Sequence, residues 1–377
     1  MHGDAMPVTP LRTVVTHACT PMDPDGHESA TRRALARKLA DLMGCPFGGD
    51  YDAARRYDAP PYFVPSDTLV GGAAAALGVR DKDDLFGAVV SHPFIATKSI
   101  THALADAGAV VPDGWVPGFA AAVDEVVLRG ASAFSSDDAL RAAAALLSRD
   151  GEVRVKRATG IGGGGQHVVC DERTLREVLD AVPADELATY GIVLEENLRD
   201  VRTFSVGRIE AAGVVATYCG TQCLTPNNHG AEVYGGSELT VVRGEFERLL
   251  ALDLPAAVRT AVDQARCYDR AADAHFDGFF ASRRNYDVVQ GIDHQGRPRS
   301  GVLEQSWRLG GASGAELGAV ETMLADPALI AVRARCIERY GDGVVPPPGA
   351  TLYYADVDAR VGRLTKYTVV ERHADTR

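Results

Sequence analysis

Five glycines in six positions, Gly160-Ile161-Gly162-Gly163-Gly164-Gly165, follow Val155-Lys156-Arg157-Ala158-Thr159 and precede the apolar run Gln166-His167-Val168-Val169. A run of this kind costs backbone entropy, so the fold must require positive φ or a close backbone approach there. Read alone, it is equally a flexible hairpin tip. Backbone N–H groups freed from side-chain bulk can surround phosphate oxygens, and a lysine just ahead adds a point charge to the same anion. The order of elements then narrows the choice. A dinucleotide fold also shows G-x-G-x-x-G but opens a helix from the third glycine, whereas EVRVKRA and QHVV read as strands on both sides. A Walker loop carries its lysine after the glycines, and a protein-kinase loop carries it on a later strand. What remains is a strand, a glycine hairpin and a strand: a flap that folds over a nucleoside triphosphate.

A second signal lies in NYDVVQGIDHQGRPRSGVLEQSWRLGG, residues 285–311. HQGRP reads as the turn of a hairpin, which sets Asp287 and Glu304 on adjacent strands. Their carboxylates can converge on a hard cation such as Mg²⁺, which would bridge phosphate oxygens and neutralise charge during phosphoryl transfer. IVLEENL reads as a buried strand ending in Glu195 and Glu196, and a solvated strand end is nearly as good an account of one of these glutamates. The polar segment Asn227 to Ser237 mixes ligand-type side chains with glycines, which suits a lid or a substrate contact through His229, Glu232 and Tyr234. Arg283 and Arg284 precede the hairpin and are candidates to meet a substrate carboxylate, although surface arginines are common. His167 reads as loop support.

The remaining pattern fits a soluble chain of several lobes. LRTVVTHAC, HESATRRALARKLADLMG, PYFVPS and the small-residue helix around GGAAAALG alternate strand and helix, which predicts an N-terminal α/β lobe with parallel strands. ATKSITHALADAG predicts a helix stopping at Gly108 before a strand at VVPDGW. Two alanine-rich helices flank GASAFSS, DERTLREVLDAV is an amphipathic helix, and RTFSVGRI with GVVATYCGTQCL predicts antiparallel sheet. LPAAVRTAVDQARCYDRAADAH is a long helix, and the tail from about Asp326 predicts a helix, a PPPG break and one or two strands. The formal charge of -12 argues against a general nucleic-acid binder. The absence of a long apolar run and of a signal-like N-terminus predicts a cytoplasmic protein that does not span a membrane. Seven scattered cysteines suit reduced thiols, and Cys219 and Cys223 lack a second pair at zinc spacing.

With these residues in view, the chain resembles the ATP-grasp superfamily. VKRATGIGGGGQHVV looks like the phosphate-covering loop of its biotin-carboxylase branch, and IATKSITHALADAGAVVP is similar to its lysine-containing helix with following glycine and strand. The resemblance implies that Lys98 and Lys156 contact ATP phosphates together with Gly162, Gly163, Gly164 and Gly165. IVLEENL resembles the hinge strand that holds adenine, which singles out Glu195, Glu196 and Leu198. Where the superfamily often has a ribose-binding acid, this chain has Thr203, with Asp200 as an alternative. Glu304-Gln305-Ser306-Trp307-Arg308 resembles the Glu-x-Asn-x-Arg segment, with Ser306 in place of asparagine. The implied metal ligands are Asp287, Glu304 and Ser306. Strand alternation points Gln305 to the opposite face, and Arg308, in the family pattern, would stabilise an acyl phosphate or a substrate carboxylate.

The resemblance covers roughly residues 5 to 325 and implies an α/β and α+β fold of three lobes. An N-terminal α/β domain (1–96) precedes linker helices and a glycine-flap lid subdomain (97–200). A C-terminal antiparallel-sheet domain with the metal hairpin (201–325) follows, and a helix and strand extension (326–377) closes the chain. The implied reaction is an ATP- and Mg²⁺-dependent ligation. A substrate carboxylate becomes an acyl phosphate and is captured by an amine or another nucleophile, with Arg308, Lys156 and Arg283 as catalytic candidates. Bicarbonate activation is the runner-up, and Ser306 with Thr203 motivates a third reading, a nucleotide-binding protein without turnover. The expected partners are a small-molecule carboxylate and a nucleophilic co-substrate, not nucleic acid or membrane, and a homodimer is compatible with these readings.

Overall fold

The apolar runs at the start of the chain are short and β-branched, and they pair as a small parallel sheet in the computed structural model, which describes residues 11–160 and 164–372. Strand β1 (Val14–His17) lies between β2 (Phe47–Asp50) and β3 (Tyr62–Pro65), parallel to both, and helix α1 (His27–Met43) crosses from β1 to β2. The helix ends where Gly44 takes φ +64° and turns its N–H back to the last carbonyls. Leu35, Ala36 and Leu39 bury its apolar face with Val14, Tyr62 and Val64. Strand β4 (Leu69–Val70), helix α2 (Gly71–Leu77) and β5 (Ala88–Val90) continue this α/β lobe, with β4 parallel to β5.

The helix expected at ATKSITHALADAG does not form. Two 3₁₀ turns, Pro93–Ala96 and Lys98–Ile100, stand there, and VVPDGW is irregular. The carbonyls of Ile95 and Thr97, which a continuing helix would use, accept hydrogen bonds from Gln305 Nε2 at 2.9 and 2.8 Å. Tertiary partners thus outbid a weak local preference in a segment rich in Thr and Ser.

Helix α3 (Pro117–Val123) leads to β6 (Gly130–Ala133) and α4 (Ser136–Asp150), so the two alanine-rich helices do flank a strand at GASA. Strands β7 (Val153–Arg157) and β8 (Gln166–Val169), helices α5 (Glu172–Asp180) and α6 (Ala184–Tyr190), and β9 (Ile192–Glu195) complete an antiparallel sheet in the order β6-β9-β7-β8. Ala139, Ala143 and Leu146 of α4 and Leu175 and Leu179 of α5 cover it, packed on Val153, Val155, Ile192 and Leu194.

The largest layer is an eight-stranded antiparallel sheet. Its strands are β10 (Arg199–Ala211), β11 (Val214–Pro226), β12 (Glu232–Arg243), then, after α7 (Phe246–Leu250), α8 (Ala256–His275) and the short β13 (Phe280–Ala281), β14 (Arg283–Ile292) and β15 (Pro298–Ser306). Helix α9 (Ser313–Ala325) precedes β16 (Ala331–Tyr340), β17 (Thr351–Asp358) and β18 (Gly362–Arg372). The sheet order is β15-β14-β10-β11-β12-β16-β18-β17, while β13 joins β5 across the lobes. Strand alternation sends Phe204, Val206, Tyr286 and Val288 to the face that α8 covers, and Ile209, Ala216, Leu239 and Val332 to the face that α9 covers.

Two expectations are corrected here. The tail after Asp326 contributes no helix among its described residues: its strands β16, β17 and β18 finish the same sheet, and the helix, α9, comes earlier. The segment Asn227 to Ser237 is not a long lid but a hairpin between β11 and β12. Asn227 Oδ1 accepts from the N–H groups of His229 and Ala231, and Gly230 takes φ +80°. Gly236 is a packing position, since a Cβ there would sit 2.0 Å from the Cys336 carbonyl oxygen. All seven cysteines are free thiols, and among the described residues no helix is long and apolar enough to cross a membrane.

Candidate active site

The strands expected on both sides of the glycine run are present and pair with each other. Strands β7 and β8 pair with Lys156 opposite Gln166, and the Arg157 N–H donates to Gly165 O at 3.0 Å. Gly165 has φ +70°, and a Cβ on Gly160 would lie 2.3 Å from Gly164 O. Gly162 and Gly163 lie outside the described residues. Arg157 and Thr159 Oγ1 both bind the Glu186 carboxylate, the latter at 2.7 Å, which fixes the flap to α6.

Lys156 is 3% exposed and its ammonium pairs with Glu195, reaching diagonally from β7 to the neighbouring strand β9, where Glu195 stands opposite Arg154. His102 Nε2 lies 3.4 Å from the other Glu195 oxygen. Burial alone would raise the Glu195 pKa, but the Lys156 charge and His102 hold it at about 2. Glu196 is equally buried and is neutralised by Arg129 and Arg299, with N–O distances of 3.0 Å to each. Neither glutamate is a solvated strand end. Leu198 packs with Leu128 and Val289, and Thr203 stands opposite Val289 on β10.

The hairpin brings its two acids together. Asp287 pairs directly with Glu304, whereas the next pair is Val288 with Val302. Leu303 is therefore a β-bulge, and without it a leucine, not a carboxylate, would oppose Asp287. Lys98 Nζ sits 2.8 Å from Glu304 Oε2 and also donates to Gly160 O at 2.8 Å, so it joins the flap to the acid pair. Burial, then the Glu304 charge, push the Asp287 pKa up to about 6, against the amide donors of Gln222 and Asn285 and the Arg283 charge. A desolvated carboxylate pair whose present counter-charge is a lysine is suited to a hard cation. Among the described residues no three His, Cys, Asp or Glu side chains gather, so remaining ligands of such a cation would come from elsewhere.

Sequence reasoning missed the polar network beneath this pair. Gln222 Nε2 and Asn285 Nδ2 donate to Asp287 Oδ1 at 2.9 and 3.1 Å. Asn285 Oδ1 accepts from Ser205 Oγ at 2.7 Å, and the Tyr218 hydroxyl lies 2.9 Å from that oxygen and 2.6 Å from Glu316 Oε1. The i, i+2 spacing of Asn285 and Asp287 was the available signal. Asn285 is also the cross-strand partner of Ser306, so an amide stands beside the position where the superfamily pattern has asparagine. Gln305 points to the other face, as alternation requires.

Several candidates are placed elsewhere. Arg283, 1% exposed, is committed to Glu316 at 2.8 and 2.9 Å and to the carbonyls of Ser306 and Arg308. Arg284 is held by Asp269 and Asp273. Neither guanidinium is open to a substrate carboxylate, because buried arginines satisfy their charge internally. Arg308 is only partly covered, with Nε 3.6 Å from Asp67 Oδ1 and Nη1 donating to Leu309 O. His229 and Glu232 are exposed at the β11–β12 turn, His167 is exposed on β8, and the Tyr234 hydroxyl bonds Ser237 at 2.7 Å.

The fold is that of the ATP-grasp enzymes. It is similar to a biotin carboxylase from Campylobacter jejuni, solved as a beta-gamma-ATP complex, with 13% identity over 96% of this chain and 88% of that one at TM-score 0.50. An N5-carboxyaminoimidazole synthetase from Staphylococcus aureus complexed with ADP is 13% identical, covering 97% and 95%, at TM-score 0.49. A D-alanyl-alanine synthetase A from Vibrio cholerae is 11% identical, covering 78% and 88%, at TM-score 0.45. No curated protein matches the chain. A family model described as protein of unknown function DUF3182 matches residues 14–368, and the chain belongs to that family.

Proposed function

We propose that this member of the DUF3182 family is an ATP- and Mg²⁺-dependent ligase that activates a substrate carboxylate as an acyl phosphate for attack by an amine or another nucleophile. The observation that carries the reading is the contact of three separate segments at one point. Lys98 reaches both Gly160 of the flap and Glu304, and Glu304 faces Asp287. A flap lysine, a linker lysine and paired acids are what two anions need in order to approach each other.

In this reading Asp287 and Glu304 would hold Mg²⁺, with Asn285 and Gln222 fixing the Asp287 carboxylate. Mg²⁺ would supply neutralisation of charge on the phosphate oxygens. Lys98 leaves Glu304 and Lys156 leaves Glu195 to meet the triphosphate, and the N–H groups of Gly164 and Gly165 line the flap over it. The hinge after β9, including Leu198, takes the adenine edge, and Thr203 a ribose hydroxyl. Arg308 orients the carboxylate for in-line attack on the γ-phosphorus. The γ-phosphoryl bond to ADP breaks, an acyl phosphate forms, and the nucleophile then displaces phosphate from the acyl carbon.

Ser306 favours a second reading, nucleotide binding without turnover, because a hydroxyl replaces the amide of the superfamily pattern. Incubation of the protein with ATP, Mg²⁺ and pools of acids and amines, bicarbonate included, separates the two. Mass spectrometry should find ADP with a condensed product, and Glu304→Gln should abolish both while leaving the fold intact. Tight Mg²⁺-dependent ATP binding with no ADP from any pool would favour the second reading.

A further inference from the structure

The loop between β1 and α1 and the second turn of α1 enclose a guanidinium that the reaction above leaves unused. Arg32 is 5% exposed, yet among the described residues no carboxylate forms an ion pair with it. Its Nη1 lies 2.9 Å from Met22 Sδ, a weak acceptor; among the described residues its buried Nε has no partner and Nη2 makes no hydrogen bond. The carboxylate that bears most on its charge, Asp50, already accepts from Thr16 Oγ1 and pairs with Arg33 at 3.4 Å. Burial pulls the Arg32 pKa down, but a guanidinium does not shed its proton in a protein. Asp50 and Glu28 favour its charged form from a distance, but among the described residues neither makes a hydrogen bond to it, so the guanidinium keeps donors unused.

The free side of Arg32 is specific in shape. Nε and Nη2 form the edge of the guanidinium that takes two oxygens of a carboxylate or phosphate at once. It lies near His17 and Cys19, at the C-terminal end of β1, where open parallel sheets take ligands. The same end is linked to the acid pair. The Cys19 N–H donates to Ser66 Oγ at 2.9 Å, Cys19 Sγ is 3.6 Å from Asp67 O, and Asp67 Oδ1 is 3.6 Å from Arg308 Nε. Arg308 in turn follows Ser306 and Glu304 on the β15 strand and its exit.

We propose that Arg32 binds a second anionic group of the substrate, a carboxylate or a phosphate, at the end remote from the carboxylate activated beside Asp287 and Glu304. That the ligand is the ligase substrate rests on the function proposed above; that an anion binds here rests on Arg32 itself. The substrate class is thus a carboxylic acid carrying a further anion, spanning from the metal hairpin past Arg308 to the N-terminal lobe.

The test is a thermal-shift titration of the full chain with saturating Mg²⁺ and a non-hydrolysable ATP analogue, so that free anions are kept out of the triphosphate position. Inorganic phosphate and succinate are titrated in separate arms, with chloride at equal ionic strength as control. A saturable rise in Tm is expected in at least one arm and should vanish in Arg32→Met. A response to phosphate alone assigns a phosphorylated substrate, and a response to succinate a carboxylate. If neither anion exceeds chloride, or if Arg32→Met keeps the wild-type response, the proposal falls. Should Arg32→Met not fold, Arg32→Lys should weaken the response about tenfold through loss of the two-point contact, and an unchanged affinity overturns the proposal. The shift caused by the nucleotide analogue is read first and should persist in both variants. Its absence in a wild type that still binds the anion would sink the ligase reading and spare the anion site, and the reverse result would sink the anion site alone.

Discussion

Lys156 and Glu195 pair diagonally across adjacent strands with almost no exposure, and that burial makes their energetics unequal to those of a surface pair. Removing one partner leaves a buried charge, so Lys156→Ala should cost about 3–5 kcal/mol of stability, measured by urea unfolding. Lys156→Met with Glu195→Gln should recover most of that loss and still fail to bind ATP; recovered binding would remove Lys156 from the nucleotide site. The pH dependence has a definite sign. Glu195 ionises with a pKa of about 2 in the fold and at about 4.3 when unfolded. Its ion pair therefore contributes fully above about pH 4.5 and is lost as pH falls from there toward 2. In Lys156→Met the holding charge is gone, and acid unfolding followed by circular dichroism should begin at a higher pH than in the wild type. Coincident acid transitions would show that another group governs them.

At the scale of elements, the hairpin β14–β15 works because its two faces are different. One face carries Asn285, Asp287, Glu304 and Ser306, and the other carries Tyr286, Gln305 and Trp307 into the core under α8. Gln305 also binds the carbonyls of Ile95 and Thr97, just ahead of the turn that presents Lys98. Gln305→Ala should therefore cost about 1–3 kcal/mol, the range for leaving buried carbonyls unpaired. It should also raise the ATP concentration needed for half-saturation with a fluorescent analogue, although Gln305 touches neither acid. An unchanged nucleotide affinity would mean that Lys98 is positioned by other contacts. The hairpin itself was legible because HQGRP marks the turn and alternation marks the strands. The bulge at Leu303 was not, since nothing in GVLEQ distinguishes a bulged from a regular strand; pairing with β14 decides it.

Across the whole molecule, β16, β17 and β18 are not an appendage but three of the eight strands of the main sheet, at one edge, and α9 has Ala315, Leu317, Ala319, Val320 and Met323 fully buried. Ending the chain at Asp326 would open the β12 edge and uncover the apolar positions of α9, and an exposed hydrophobic edge pairs with other chains. Such a truncation should elute as aggregate on size exclusion or fail to accumulate; a monodisperse, cooperatively unfolding fragment would refute this account of the tail. The sequence by itself determined the strand–glycine–strand flap, the α/β start, the acid hairpin and so the fold, because each is written in local backbone chemistry: glycine freedom, alternation and turn residues. Only the tertiary structure decided that Arg283 is a buried partner of Glu316, that the segment around Lys98 is two 3₁₀ turns, that Asn285 stands across from Ser306, and that Arg32 makes no ion pair among the described residues. Those outcomes depend on which side chains from distant segments meet in a low-dielectric interior, where desolvation and pairing outweigh local preference.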